Sequence, residues 1–189
     1  MGLLRWPLRR SRDPYWDAFV NRPLADPANV ITEAIRHAPE GRIFPARSEL
    51  PEPARLLNDL DQLVAFLGGS AIGVARTETA FLRPGDDSGA SPDPAELAED
   101  LPFTVVIAVH AEHHPDKAKG MAGQHVLHES ASVNFSIAAY IRELGYRATV
   151  RPVDSAAAAK AAGLEPGRGE YVGDAVLTDL PLPTGRPGA

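Results

Sequence analysis

The stretch FTVVIAV, residues 103–109, decides the architecture. It is rich in β-branched residues and lacks the polar alternation of a half-exposed strand, so it predicts a strand covered on both faces and central in its sheet. Such a strand needs other layers above and below it, and the flanking sequence supplies them. Upstream, Leu56, Leu57, Leu60, Leu63, Val64 and Leu67 recur at three- and four-residue steps, predicting a helix over 52–67 that Gly68-Gly69 stops. SAIGVAR, 70–76, then reads as a short buried strand. Downstream of the histidine-rich turn HAEHHPDKAKG, 110–120, a long helix is predicted over 124–144, with Val133, Ile137, Ile141 and Leu144 as its core stripe and Gly145 as its stop. YRATVRP (146–152) follows as a strand, SAAAAKAAG (155–163) as a helix and DAVLTDLPL (174–182) as a last strand.

Farther out the signals thin. Asp26-Pro27 reads as an N-cap and first-turn proline for a helix ending near His37 or Ala38, with Val30, Ile31, Ala34 and Ile35 on one face. The stretch 40–53 is punctuated by proline, 83–94 has no apolar anchor and predicts a mobile surface loop, and the tail 183–189 predicts disorder. Helices and strands do not alternate one for one, so the chain reads as α+β rather than a parallel doubly wound sheet. Residues 1–50 form an N-terminal extension and 51–182 a single domain.

Composition narrows the function. The formal charge of -6 argues against a nucleic-acid partner, whose phosphates require concentrated Lys and Arg. The basic run from Arg5 to Arg12 is short and reads as a solvated terminus. Arg9-Arg10 is not followed by the apolar run of an export signal, and no apolar stretch is long enough to span a membrane, so a cytoplasmic location is expected. The 189 residues contain no cysteine, which leaves no thiolate nucleophile and no ligand for a Cys-held iron–sulfur cluster.

AAYIRELGYRA (138–148), AAAKAAGLEPGRG (157–169) and DAVLTDLPL (174–182), in that order, resemble the C-terminal half of the corrinoid-binding domain of reductive dehalogenases. The resemblance extends back to about Leu56 through the helix ending in LGG and the strands SAIGVAR and VVIAV. It implies a nitroreductase-like fold, a central and mostly antiparallel sheet flanked by helices, of the kind also used by cobalamin-processing chaperones. It further implies a noncovalently bound corrinoid and a homodimer. The departures are specific. Val172 or Gly173 stands where the family places an arginine ahead of the final strand. His125 and His128 occupy the region where the family carries a proton-donating tyrosine. The family's cysteine-rich cluster domain has no counterpart here.

Five of the six histidines, His110, His113, His114, His125 and His128, fall within 19 residues. Three readings stand beside one another: a divalent metal site with Glu112 or Asp116 contributing, an axial ligand or close neighbour of a corrinoid cobalt, and loop histidines with no site. The spacings match no metalloprotease or deaminase signature. Ser132, Asn134 and Ser136 lie on the helix that carries His125 and His128, where a polar stripe would line a pocket or face solvent. Thr178 and Asp179 interrupt an apolar strand and would either bond local backbone or border the cofactor. The glycine-rich segment 163–173, which contains Tyr171, would let backbone approach a bulky ligand.

The sequence therefore predicts a corrinoid (cobalamin) binding protein for carriage, storage or processing. The ring would lie in a cleft between the sheet and the helix 124–144, contacted by His110, His125, His128, Ser132, Asn134, Ser136, Tyr171, Thr178 and Asp179. The alternative is a flavin (FMN)- or metal-dependent enzyme using the histidine cluster. No catalytic residue is assigned under either reading.

Overall fold

In the computed structural model, residues 13–83, 93–167 and 169–188 are described. The basic run 5–12 and most of the loop 83–94 lie outside the described residues. In chain order come α1 (Pro14–Trp16), continuing into a wider helical turn Asp17–Asn21, then α2 (Ile31–Arg36), α3 (Pro53–Phe66) and β1 (Gly69–Arg76). They are followed by α4 (Pro94–Asp100), β2 (Phe103–His110), α5 (Met121–Glu143), β3 (Ala148–Arg151), α6 (Ser155–Ala161), β4 (Glu170–Val172) and β5 (Ala175–Thr178).

The sheet has five strands in the order β1-β2-β5-β3, with β4 also paired to β2, and every pairing is antiparallel. This is an α+β arrangement. β4 and β5 share one side of β2. Val172 pairs with Ala108 and Val176 with Val105, so residues 173–175 face only 106–107 and the line carries one extra residue, a β-bulge. Glycine lets the bulge lie close to α5: a Cβ on Gly173 would come 2.6 Å from Ser130 Oγ, which would have to move.

β2 is covered on both faces. Val105, Ile107 and Val109 join a core under α3 and α5, whereas Val106 and Ala108 join a second core with Ala158, Ala159 and Ala162 on and just after α6. Small residues let the end of α6 approach the sheet: a Cβ on Gly73 of β1 would stand only 2.4 Å from the backbone oxygen of Ala162, the residue that follows α6. Asp154 N-caps α6 by accepting the Ala157 amide at 3.0 Å.

Several details differ from the sequence reading. The cleft expected between sheet and α5 is filled: Val126, Val133, Ile137, Ala138 and Ile141 pack with Val105, Ile107, Val109 and Val176 in one cluster. Close-packed apolar side chains leave no room there for a macrocycle. On α2 the buried residue is Thr32, and Ile31 is exposed, because the helix turns a different side toward α5. The tail, expected to be disordered, is tied to β1 by two backbone hydrogen bonds between Gly185 and Val74, at 2.8 and 2.9 Å. α1, α4 and β4 were not foreseen; each is seven residues or fewer, too short for a periodic signal.

Candidate functional site

The space missing beneath α5 is found at the end of the sheet. Where β2 gives way to the loop leading into α5, a cavity of about 1050 Å3 opens. That is at or above the upper end for small-molecule sites. Three parts of the chain wall it: the loop through His113, His114 and Asp116, the glycine-rich turn through Pro166, Gly167 and Gly169, and Val20 from the N-terminal segment.

Backbone pairing fixes these walls. Val109 opposes Tyr171 and His110 opposes Glu170, and the Ala111 amide then donates to Gly169 O at 2.6 Å, bringing loop and turn together. Gly169 takes φ +93, a left-handed conformation that glycine accepts without strain. Glu170 anchors the turn by accepting from Gly167 N at 2.9 Å and from Ser70 Oγ at 3.2 Å. On the other side the Gly120 amide donates to Val20 O at 2.9 Å. A Cβ at Gly120 would stand 2.6 Å from Phe19 O, so this residue lets the N-terminal segment cross the entry to α5.

Two histidines stand in the lining, each backed by aromatic rings outside it. The His113 ring meets Trp16 and Phe19 edge to face, each at 5.7 Å between centroids. His114 meets Tyr171 the same way at 5.6 Å. His114 Nδ1 accepts the Asp116 amide at 3.3 Å and lies 3.5 Å from Asp116 Oδ2. Glu112, Asp116 and Glu170 outweigh Lys117 in the lining, so the cavity is acidic. Burial, and then the charge of Asp174, push the Tyr171 hydroxyl above its ordinary pKa, keeping it protonated. Asp174 itself is held by Arg36 Nε at 2.9 Å.

The expected site residues separate into three places. His110 and Tyr171 end β2 and lie on β4, next to the cavity, although neither is among its lining residues. His125 is exposed on α5, with His128, Ser132 and Ser136 half-buried; Ser136 Oγ donates back to Ser132 O at 2.8 Å. Asn134 lies on the buried face, its amide nitrogen donating to Ser130 O at 2.9 Å. Asn134 Oδ1, Ser130 Oγ and His128 Nδ1 are buried without a protein partner.

Thr178 and Asp179 are at the opposite end of the sheet. Thr178 Oγ1 donates to Arg147 O at 2.6 Å and accepts from Leu180 N at 3.0 Å. Asp179 accepts from Arg147 N at 2.7 Å and from Arg47 Nη2 at 3.0 Å. Both side chains join β3 to the end of β5.

Trp16, Phe19 and Val20 escaped the sequence reading. The signal available was local: Asp13 caps the turn by accepting from Tyr15 N at 3.0 Å, Pro14 opens it, and Trp16 and Phe19 are three apart on one face. Nothing local ties them to His113. Among the described residues no group of three or more His, Asp or Glu side chains is placed to hold a metal ion, so the proposed free-metal site finds no cluster. Among them, too, no helix is long and apolar enough to cross a membrane.

No protein-family model matches the chain. No curated protein matches it. Solved structures do. The catabolic reductive dehalogenase NpRdhA superposes with a TM-score of 0.59 at 24% identity over 86% of this chain. A reductive dehalogenase whose structure suggests a mechanism for B12-dependent dehalogenation gives 0.59 at 24% identity, again over 86% of this chain. NpRdhA in complex with 3-bromo-4-hydroxybenzoic acid gives 0.57. The chain spans 24% of the length of these dehalogenases. The fold is thus that of one portion of a reductive dehalogenase.

Proposed function

We propose that the chain binds a corrinoid in the cavity at the end of β2, on a nitroreductase-like fold, and serves its carriage, storage or processing. The observation that carries this reading is the cavity itself: about 1050 Å3, lined by two histidines, three carboxylates and a glycine-rich turn, on a fold shared with B12-dependent dehalogenases. The donor set suits a large amide-bearing ring. Exposed backbone at Gly167 and Gly169 can approach its edge, and carboxylates of Glu112 and Asp116 can accept from its amides. Imidazole nitrogen is a good donor to a first-row transition metal.

These 189 residues contain no cysteine to hold an electron-delivering cluster, and the reading asks only for binding of the corrinoid. A cytoplasmic location and a homodimer belong to the same reading, and sedimentation of the pure protein tests the second. No observation favours FMN. Titration of the protein with hydroxocobalamin, followed by its visible spectrum and by co-elution in gel filtration, is the direct test. Saturable co-elution supports the reading; a corrinoid that elutes entirely free at high protein concentration ends it.

A further inference from the structure

We infer that the N-terminal segment Asp13–Asn21 is a latch over the cavity, which lifts for a ligand to enter and leave. This rests on the corrinoid reading above and adds to it control over access to the site.

The segment supplies one wall. Val20, its only buried residue, lines the cavity, and its carbonyl accepts from Gly120 N at 2.9 Å. Among the described residues this is the single hydrogen bond that joins the segment to the rest of the chain. The other fastening is aromatic: Trp16 and Phe19 each meet His113 edge to face, and His113 itself belongs to the lining. Trp16 is nonetheless 48% exposed and Tyr15 70%. A segment with so few buried contacts opens locally at far less cost than global unfolding.

Its own turns are closed from within. Asp13 accepts from Tyr15 N, Asp17 N donates to Asp13 O and Arg22 N to Asp17 O, so the segment can move as a unit without breaking them. Beyond it no residue from 21 to 31 is buried, until Thr32 on α2, which leaves a stretch able to serve as a hinge.

Gly120 is where the latch rests. Its backbone is extended, a conformation open to any residue. A Cβ there would stand 2.6 Å from Phe19 O and 2.8 Å from Ala18 O, and its nearest obstacles all lie in the segment. Gly120→Ala is therefore a wedge beneath the latch that alters no lining residue.

The test follows association and dissociation of hydroxocobalamin with the full chain by stopped flow, beside amide hydrogen exchange of the ligand-free protein. Because lifting precedes both entry and release, Gly120→Ala is expected to raise both rate constants by about tenfold, with little change in affinity. Trp16→Ala, which removes one ring edge from His113, should move both in the same sense by about threefold, and decides the matter if the glycine variant does not fold. A rise in dissociation alone marks a fixed wall and overturns the latch, as do wild-type rates in both variants. In the ligand-free wild type the Gly120 amide should be protected about a hundredfold less than that of Val105, whose strand is paired on both sides. Equal protection overturns the latch. Failure of the wild type to retain any corrinoid overturns the binding reading, and the exchange comparison then still decides whether the segment lifts.

Discussion

The two ends of β2 are made from similar residue types and used differently. At its start, Thr104 shares a hydrogen bond with Thr77 at 2.9 Å, Thr178 bonds backbone in both directions, and Asp179 clamps Arg147 and Arg47. Each polar side chain there has its hydrogen bonds filled from within the fold, Thr178 and Asp179 by backbone groups that the strand ladder leaves over. At its finish, His113 and His114 touch aromatic rings and an exposed carboxylate beside an open cavity, and none of these side-chain contacts holds strands together. Polar residues near a sheet are therefore poor guides to a site by type alone. What separates binding from structure is whether their hydrogen-bonding capacity is already filled.

That contrast can be tested, beginning with the packed middle that divides the two ends. Ile137→Ala, at a fully buried position between α5 and the sheet, is expected to cost about 2–5 kcal/mol in urea unfolding. A loss under 1 kcal/mol would mean that the interface is looser than its packing indicates. Thr178→Val strips the partner from Arg147 O and Leu180 N, and a cost of about 1–3 kcal/mol is expected without loss of corrinoid binding. If binding disappears in a folded Thr178→Val protein, the closed end takes part in the site after all.

At the open end the pattern should invert. Asp116→Ala is expected to leave stability within about 0.5 kcal/mol of wild type while weakening corrinoid affinity by about tenfold through the lost acceptor for a ligand amide, read by equilibrium dialysis. The smallest effect is an acid one. The carboxyl of Asp154 is held below its ordinary pKa, first by the Ala157 amide and then by the charge of Arg83. Its contribution is complete above the ordinary carboxylate pKa and is lost as pH falls through the lower folded value. Thermal midpoints should therefore decline slightly less steeply in acid for Asp154→Ala than for wild type.

Much of the scaffold was legible because it depends on local periodicity. Residues 103–109, the leucine spacing of α3, the stripe on α5 and the Asp154 cap each announce an element within a few residues of chain. The α5 polar residues show the limit. Ser132 and Asn134 are two apart in sequence, yet one is half-buried on the outer side and the other lies within the core, so their shared polarity carried no common role. The glycine-rich segment was a better signal, since Gly167 and Gly169 do form a wall of the cavity.

From its own order of residues the chain determined an α+β body with a doubly covered central strand and no cysteine. Those properties follow from hydrophobic period, turn residues and composition, all of which act over short distances. Where the cavity lies was decided only in three dimensions. Filling of the α5 interface, the bulge at Gly173, and the crossing of Phe19 over Gly120 are long-range contacts. They bring Trp16 against His113 and Tyr171 against His114, and no spacing along the chain encodes such meetings.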